Sequence, residues 1–146
     1  RKRQARQNRL GCVQTVSGGA MLDHVGYSVR NFARSRAFYT AALAPLGLGV
    51  VMEGEDWAMM GRDGRPEFWF GLAGKPVNHL HLAFRAASRA EVDAFWRAGL
   101  AAGGTDNGAP GLRPHYHPDY YGAFVLDPDG LNIEAVTHAP PEERWP

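Results

Sequence analysis

The sequence predicts an α+β fold built from two copies of one unit, each a strand, a helix and about three further strands. Three observations predict it. The stretch from His24 to Leu43 reads as an ungapped copy of His81 to Leu100: His24 matches His81, Ala33 matches Ala90, Ala37 matches Ala94, Phe38 matches Phe95, Ala41 matches Ala98 and Leu43 matches Leu100. Aromatic residues pair at Tyr27/Phe84 and Tyr39/Trp96. In both stretches a run of alternating residues gives way to helical spacing. Gly74-Lys75-Pro76 then reads as the linker between the halves.

The elements follow in order. From Met21 to Val29, Leu22, His24, Gly26 and Ser28 share one strand face, and Val25, Tyr27 and Val29 the other. Asn31 is placed to cap a helix carrying Phe32, Ser35, Phe38, Tyr39 and Leu43, which Pro45 and Gly47 stop. Strands are expected at Gly49–Glu53, Trp57–Met60 and Glu67–Leu72, with Asp63-Gly64 as a tight turn. The second half repeats the order: a strand at His79–Phe84, then a helix capped by Ser88, running to about Ala102 and ended by Gly103-Gly104. A Gly-, Pro- and His-rich loop is expected from Asn107 to Pro118. Strands follow at Tyr120–Leu126 and Asn132–Thr137, joined by Asp127-Pro128-Asp129-Gly130. Neither half can bury its own sheet, so the two should pair.

At 146 residues the chain is of single-domain size, long enough to bury a core. Five of its 16 basic residues, and no acid, lie within residues 1–9. Residues 1–20 read as a leader or cloning remnant, 21–138 as one domain with modules 21–74 and 77–138, and 139–146 as a tail. The sharper reading of the basic arm, a nucleic-acid or transit segment, has only charge behind it. The basic residues cluster outside the domain, so no nucleic-acid partner is expected. Cys12, the one cysteine, leaves no internal disulfide, and no apolar run reaches the roughly 20 residues of a membrane span. A cytoplasmic protein fits.

Gly26 and Ser28 share a face with His24, and Ala83 shares one with His81. Small neighbours leave the open volume that a ligand site wants. Glu134 is the sole acid in an apolar strand, flanked by Ile133, Ala135 and Val136, and burial there is costly unless it is paired or metal-bound. His24, His81 and Glu134 thus form a candidate three-ligand set with open positions. The alternative for Glu134 is a salt bridge at a strand edge. Anchoring the repeat on its two turns sets Phe68 opposite Glu134, with Glu67 one position away and on the other face unless a bulge intervenes.

The segments L-D-H-V-G-Y-S-V (Leu22–Val29), S-R-A-F-Y (Ser35–Tyr39), H-L-A-F (His81–Phe84) and Y-G-A-F-V-L-D-P-D-G-L-N-I-E (Tyr121–Glu134) resemble the vicinal oxygen chelate superfamily. This superfamily includes glyoxalase I, bleomycin- and fosfomycin-resistance proteins and extradiol dioxygenases. The resemblance implies two βαβββ modules forming a cup-shaped eight-stranded mixed sheet, with helices outside, around one divalent ion. Carried over by position, it implies His24, His81 and Glu134 as ligands. Four-ligand glyoxalases carry a further glutamate, and this chain departs from them there. The ion could be Fe, Mn, Ni, Zn or Co.

Around this set, Arg113-Pro114-His115-Tyr116-His117-Pro118-Asp119-Tyr120-Tyr121 is the densest polar-aromatic stretch. Tyr121 and His115 are the expected catalytic pocket residues, Arg113 an anion clamp, and His117 and Trp69 substrate contacts. The alternative is an ordered surface loop packed by its own aromatics. His79 shares a strand face with His81 as a neighbour or alternative ligand, and the family pattern favours His81. The reading that follows is a metal-dependent enzyme acting on a small molecule with vicinal oxygens, with lyase, isomerase and ring-cleaving dioxygenase chemistry all open. The other reading is a metal-free protein that sequesters a drug or planar ligand. A homodimer is expected from open sheet edges and from the family's habit.

Overall fold

The computed structural model describes residues 22–141. The expected leader and the last five residues of the expected tail lie outside them. Eight strands and two helices follow one another as β1 (Val25–Ser28), α1 (Phe32–Leu43), β2 (Gly49–Glu53), β3 (Trp57–Arg62), β4 (Arg65–Gly71), β5 (His81–Arg85), α2 (Arg89–Ala101), β6 (Thr105–Leu112), β7 (Tyr121–Leu126) and β8 (Asn132–Thr137). This is βαβββ twice. The strands form two four-stranded mixed sheets, ordered β1-β4-β3-β2 and β5-β8-β7-β6. In each, the first strand pairs parallel to the last of its module, and the other pairs are antiparallel. No helix among the described residues is long and apolar enough to cross a membrane.

Local chemistry sets the helix ends. Asn31 Oδ1 accepts from Arg34 N at 3.0 Å. Ser88 Oγ accepts from Glu91 N at 3.2 Å, while Glu91 reaches back to Ala87 N at 2.7 Å, so donors left orphaned at both helix starts are satisfied. After α1, Pro45 sits in a single 3-10 turn that Gly47 ends at φ 77°, a left-handed conformation that glycine adopts without strain.

One side of each sheet is packed on the helices, and α1 and α2 also pack on each other. Phe38, Tyr39, Leu43 and Phe95 are fully buried there, each worth about 1.5–3 kcal/mol of burial. Tyr39 ties the modules together. Its ring meets Phe68 and Phe70 of the first module, and its hydroxyl donates to Asp127 in the β7–β8 turn of the second. Asp127 also accepts from Asp129 N and Leu131 N.

Several expected boundaries change. β1 begins only at Val25, so His24 precedes the strand, and His79 precedes β5. The segment read as a loop from Asn107 contains most of β6. Its glycines and Pro110 disguise an edge strand, where a missing N–H costs nothing. Gly108 is required: its φ is 150°, and a Cβ there would stand 2.9 Å from the Phe124 ring, whereas one at Gly111 would meet only the movable end of Arg113.

Candidate functional site

Strand parity selects the side chains that face away from the helices. In the second sheet, His81 lies opposite Asn132, Ala83 opposite Glu134, and Glu134 opposite Phe124, so His81, Glu134 and Phe124 share the open face. They line a cavity of about 320 Å³ with Tyr116 and Tyr120. His81 Nε2 stands 3.1 Å from Glu134 Oε2, and Glu134 is 2% exposed. Its other oxygen, Oε1, accepts the Tyr120 hydroxyl. His81 Nδ1 lies 3.3 Å from the Asn132 carbonyl oxygen. The His81 ring also stacks on Phe124, with centroids 6.2 Å apart.

Sequence reasoning missed Tyr120 in favour of Tyr121. One residue turns a side chain to the other face, and the Tyr121 hydroxyl points to the helix side, where it donates to Asp93 at 2.7 Å. The signal that could have found Tyr120 is its even spacing from Gly122 and Phe124, which puts it on the Glu134 face. Burial and the bond to Glu134 both hold the Tyr120 phenol well above its ordinary pKa. The loop expected to bear catalytic groups packs largely on itself. His115 lies against Tyr116, with centroids 4.1 Å apart, and His117 against His138 at 5.1 Å. Arg113 lies over the Phe124 ring, its guanidinium 5.6 Å from the centroid and its Nη2 donating to Ala109 O. Of this loop, Tyr116 and Tyr120 line the cavity.

The first sheet presents a different open face. Gly26 lies opposite Trp69, and the indole covers it so closely that a Cβ on Gly26 would come within 2.9 Å of Trp69 Cε3. Since Ala83 pairs with Glu134 as Gly26 pairs with Trp69, Trp69 is the residue that corresponds to Glu134. The expected counterpart, Phe68, corresponds to Ile133 and is buried against the helices. The cause is a bulge: β3 advances one residue from Met60 to Gly61 while β4 advances two, from Phe68 to Pro66. Glu67 is the extra residue, so counting from the turn slips by one. Its carboxylate stands 3.8 Å from Arg62 Nε.

His24, two-thirds exposed, holds Asp23 Oδ1 at 2.6 Å from its Nδ1. Among the described residues, no three His, Cys, Asp or Glu side chains converge to hold one ion. The sequence trio is thus met in part within one chain: His81 and Glu134 touch, and His24 stands apart.

The pair supplies two residue types that could hold a metal ion. A carbonyl oxygen only accepts, so His81 Nδ1 donates to Asn132 O, and Nε2 meets Glu134 Oε2 either as a second N–H donor or through its lone pair. A proton on Nε2 or a cation held between the two atoms satisfies the contact equally. A separation of 3.1 Å lets both donors reach one ion at about 2.0–2.2 Å. An imidazole fixed through its other nitrogen, and a carboxylate fixed through its other oxygen, are how proteins orient ligands.

A model of the Glyoxalase/Bleomycin resistance protein/Dioxygenase superfamily matches residues 21–135. Among solved structures, the chain is similar to a glyoxalase/bleomycin resistance protein from Albidiferax ferrireducens T118, at 33% identity over 80% of this chain and 98% of that one, with a TM-score of 0.69. Two further likenesses are of fold alone. One is to a glyoxalase/bleomycin resistance protein/dioxygenase family enzyme from Burkholderia phytofirmans PsJN (20% identity, 82% and 100% covered, TM-score 0.63). The other is to a bleomycin resistance determinant encoded on the transposon Tn5 (21%, 77% and 92%, 0.53). No curated protein matches the chain.

Proposed function

The chain belongs to the Glyoxalase/Bleomycin resistance protein/Dioxygenase superfamily, and from that premise we propose that it is a metal-dependent enzyme acting on a small molecule with vicinal oxygens. The observation that carries this reading is the convergence of His81 Nε2 and Glu134 Oε2 at 3.1 Å, each fixed through its other polar atom, on an open cavity. One divalent ion bound there would supply Lewis acidity to a carbonyl or to a pair of oxygens. His81 and Glu134 would hold it from one chain. His24 would come from a second copy, since it precedes an edge strand and does not reach the pair in its own chain. A homodimer with shared sites follows from this. Phe124 and Tyr116 flank the pair and would orient a flat substrate and exclude water. With its single cysteine the chain suits a reducing compartment such as the cytoplasm.

The aromatic wall also favours a second reading, a metal-free protein that sequesters a planar ligand. Metal analysis of purified protein separates the two. The enzyme reading expects one divalent ion per chain, lost in His81→Ala and in His24→Ala. Mixing the two variants should restore binding at one site per mixed dimer. Protein free of metal after purification that takes up none on titration with Mn(II), Zn(II) or Co(II) would overturn the enzyme reading. A His24→Ala variant that keeps its ion would overturn the shared site.

A further inference from the structure

We propose that Tyr120 is a positioning residue for Glu134: its phenol takes Oε1 and leaves Oε2 as the single carboxylate oxygen facing the cavity. Three observations meet here. The Tyr120 hydroxyl donates to Oε1 while Oε2 is turned to His81. The phenol is held on both sides, by Tyr116 at 5.1 Å and by His138 edge-on at 5.2 Å. The backbone is pinned as well. Arg113 N donates to Tyr120 O at 2.7 Å and Tyr120 N to His117 O at 3.0 Å, so the histidine-rich turn works as a clamp on Tyr120.

Gly122 completes the arrangement. A Cβ there would stand 3.1 Å from Glu134 Oε1 and 3.2 Å from Tyr120 Cε1. The β7 strand is therefore stripped of its side chain where the phenol and carboxylate meet. A free carboxylate can offer one oxygen or two to an ion. Holding one of them fixes the choice before any ligand arrives, and that preorganisation lowers the cost of binding.

The consequence for metal rests on the reading above, so the test has an arm that does not need the ion. Purified wild type, Tyr120→Phe and Tyr121→Phe are titrated with Co(II) and followed by visible absorption. Apo crystals of wild type and Tyr120→Phe are compared in parallel. Tyr120→Phe should weaken Co(II) binding about 10–100-fold and change the visible spectrum as Oε1 becomes free to coordinate. Tyr121→Phe, which loses its bond to Asp93 on the helix side, should change neither. In the apo crystals the Glu134 carboxylate should turn from its wild-type orientation in Tyr120→Phe. Wild-type affinity and spectrum in Tyr120→Phe would overturn the proposal. If wild type binds no Co(II), the metal reading falls and the apo crystals decide: an unmoved Glu134 overturns the role of Tyr120, a turned one upholds it. Should Tyr120→Phe fail to fold, Gly122→Ala, which presses on the same contact and leaves the phenol in place, should weaken Co(II) binding in the same direction, and an unchanged affinity there would overturn the proposal.

Discussion

The two modules share a scaffold and differ on their open faces. Toward the helices they match: Phe68 stands where Ile133 does, and both are buried. Away from the helices they part. The second sheet carries His81 and a buried carboxylate beside a cavity. The first has an indole where the second has that carboxylate, and the indole lies across Gly26. A core residue must satisfy many neighbours at once, so a duplicated core keeps its residue types. An open face answers to its ligand alone and is free to diverge. Duplication here preserved the frame and let the two open faces diverge.

The modules are not independent, and the largest expected effect tests this. Tyr39→Phe removes the hydrogen bond from the first module's helix to buried Asp127, and should destabilise the whole domain by about 2 kcal/mol in urea unfolding. Burial raises the Asp127 carboxyl above its ordinary value, and the Tyr39 hydroxyl partly offsets that rise. A carboxyl raised on folding contributes stability below its unfolded pKa and loses it as pH climbs through the folded value. Without Tyr39 the rise is larger. The deficit of the variant should therefore be smallest in acid, below the ordinary carboxylate range, and grow toward neutral pH. A deficit that does not change with pH would place the coupling in packing alone.

Much of this was legible in the sequence. The ungapped repeat gave both βαβ beginnings, and the isolation of Glu134 in an apolar strand marked its partnership with His81. What escaped did so for reasons of parity. The bulge at Glu67 shifts the count along β4 by one, which hid Trp69 behind Phe68. The same one-residue ambiguity chose Tyr121 over Tyr120. β6 escaped because its glycines, one of them needed beside Phe124, read as turn residues. His24 was legible as the counterpart of His81, but a repeat says nothing of whether two equivalent residues meet within one chain.

A smaller effect would sharpen the contrast between the faces. Trp69→Glu puts a carboxylate where the second module carries Glu134 and uncovers Gly26. If the faces of two copies meet around a shared ion, the added charge should tighten Co(II) binding about tenfold, roughly 1.4 kcal/mol. Equal affinity in wild type and variant would mean that the first module's face takes no part in the site, beyond whatever His24 supplies.

The smallest effect is expected at the paired positions Gly26 and Ala83. Gly26→Ala gains about 0.5–1 kcal/mol from the stiffer backbone, but its methyl meets Trp69 at 2.9 Å, and overpacking of this kind costs about 1–3 kcal/mol. The gain offsets part of the cost, so net stability should fall by about 1 kcal/mol, within a range of about 0–2.5 kcal/mol. Tryptophan emission should nonetheless shift to longer wavelength as the indole is pushed toward water. Ala83→Gly in the second module has no indole to release, and should lose a similar amount of stability through its backbone alone, with emission unchanged. Matching stabilities with unlike spectra would locate the divergence of the modules in what covers each position. Identical spectra would mean that the indole does not depend on the bare backbone beneath it.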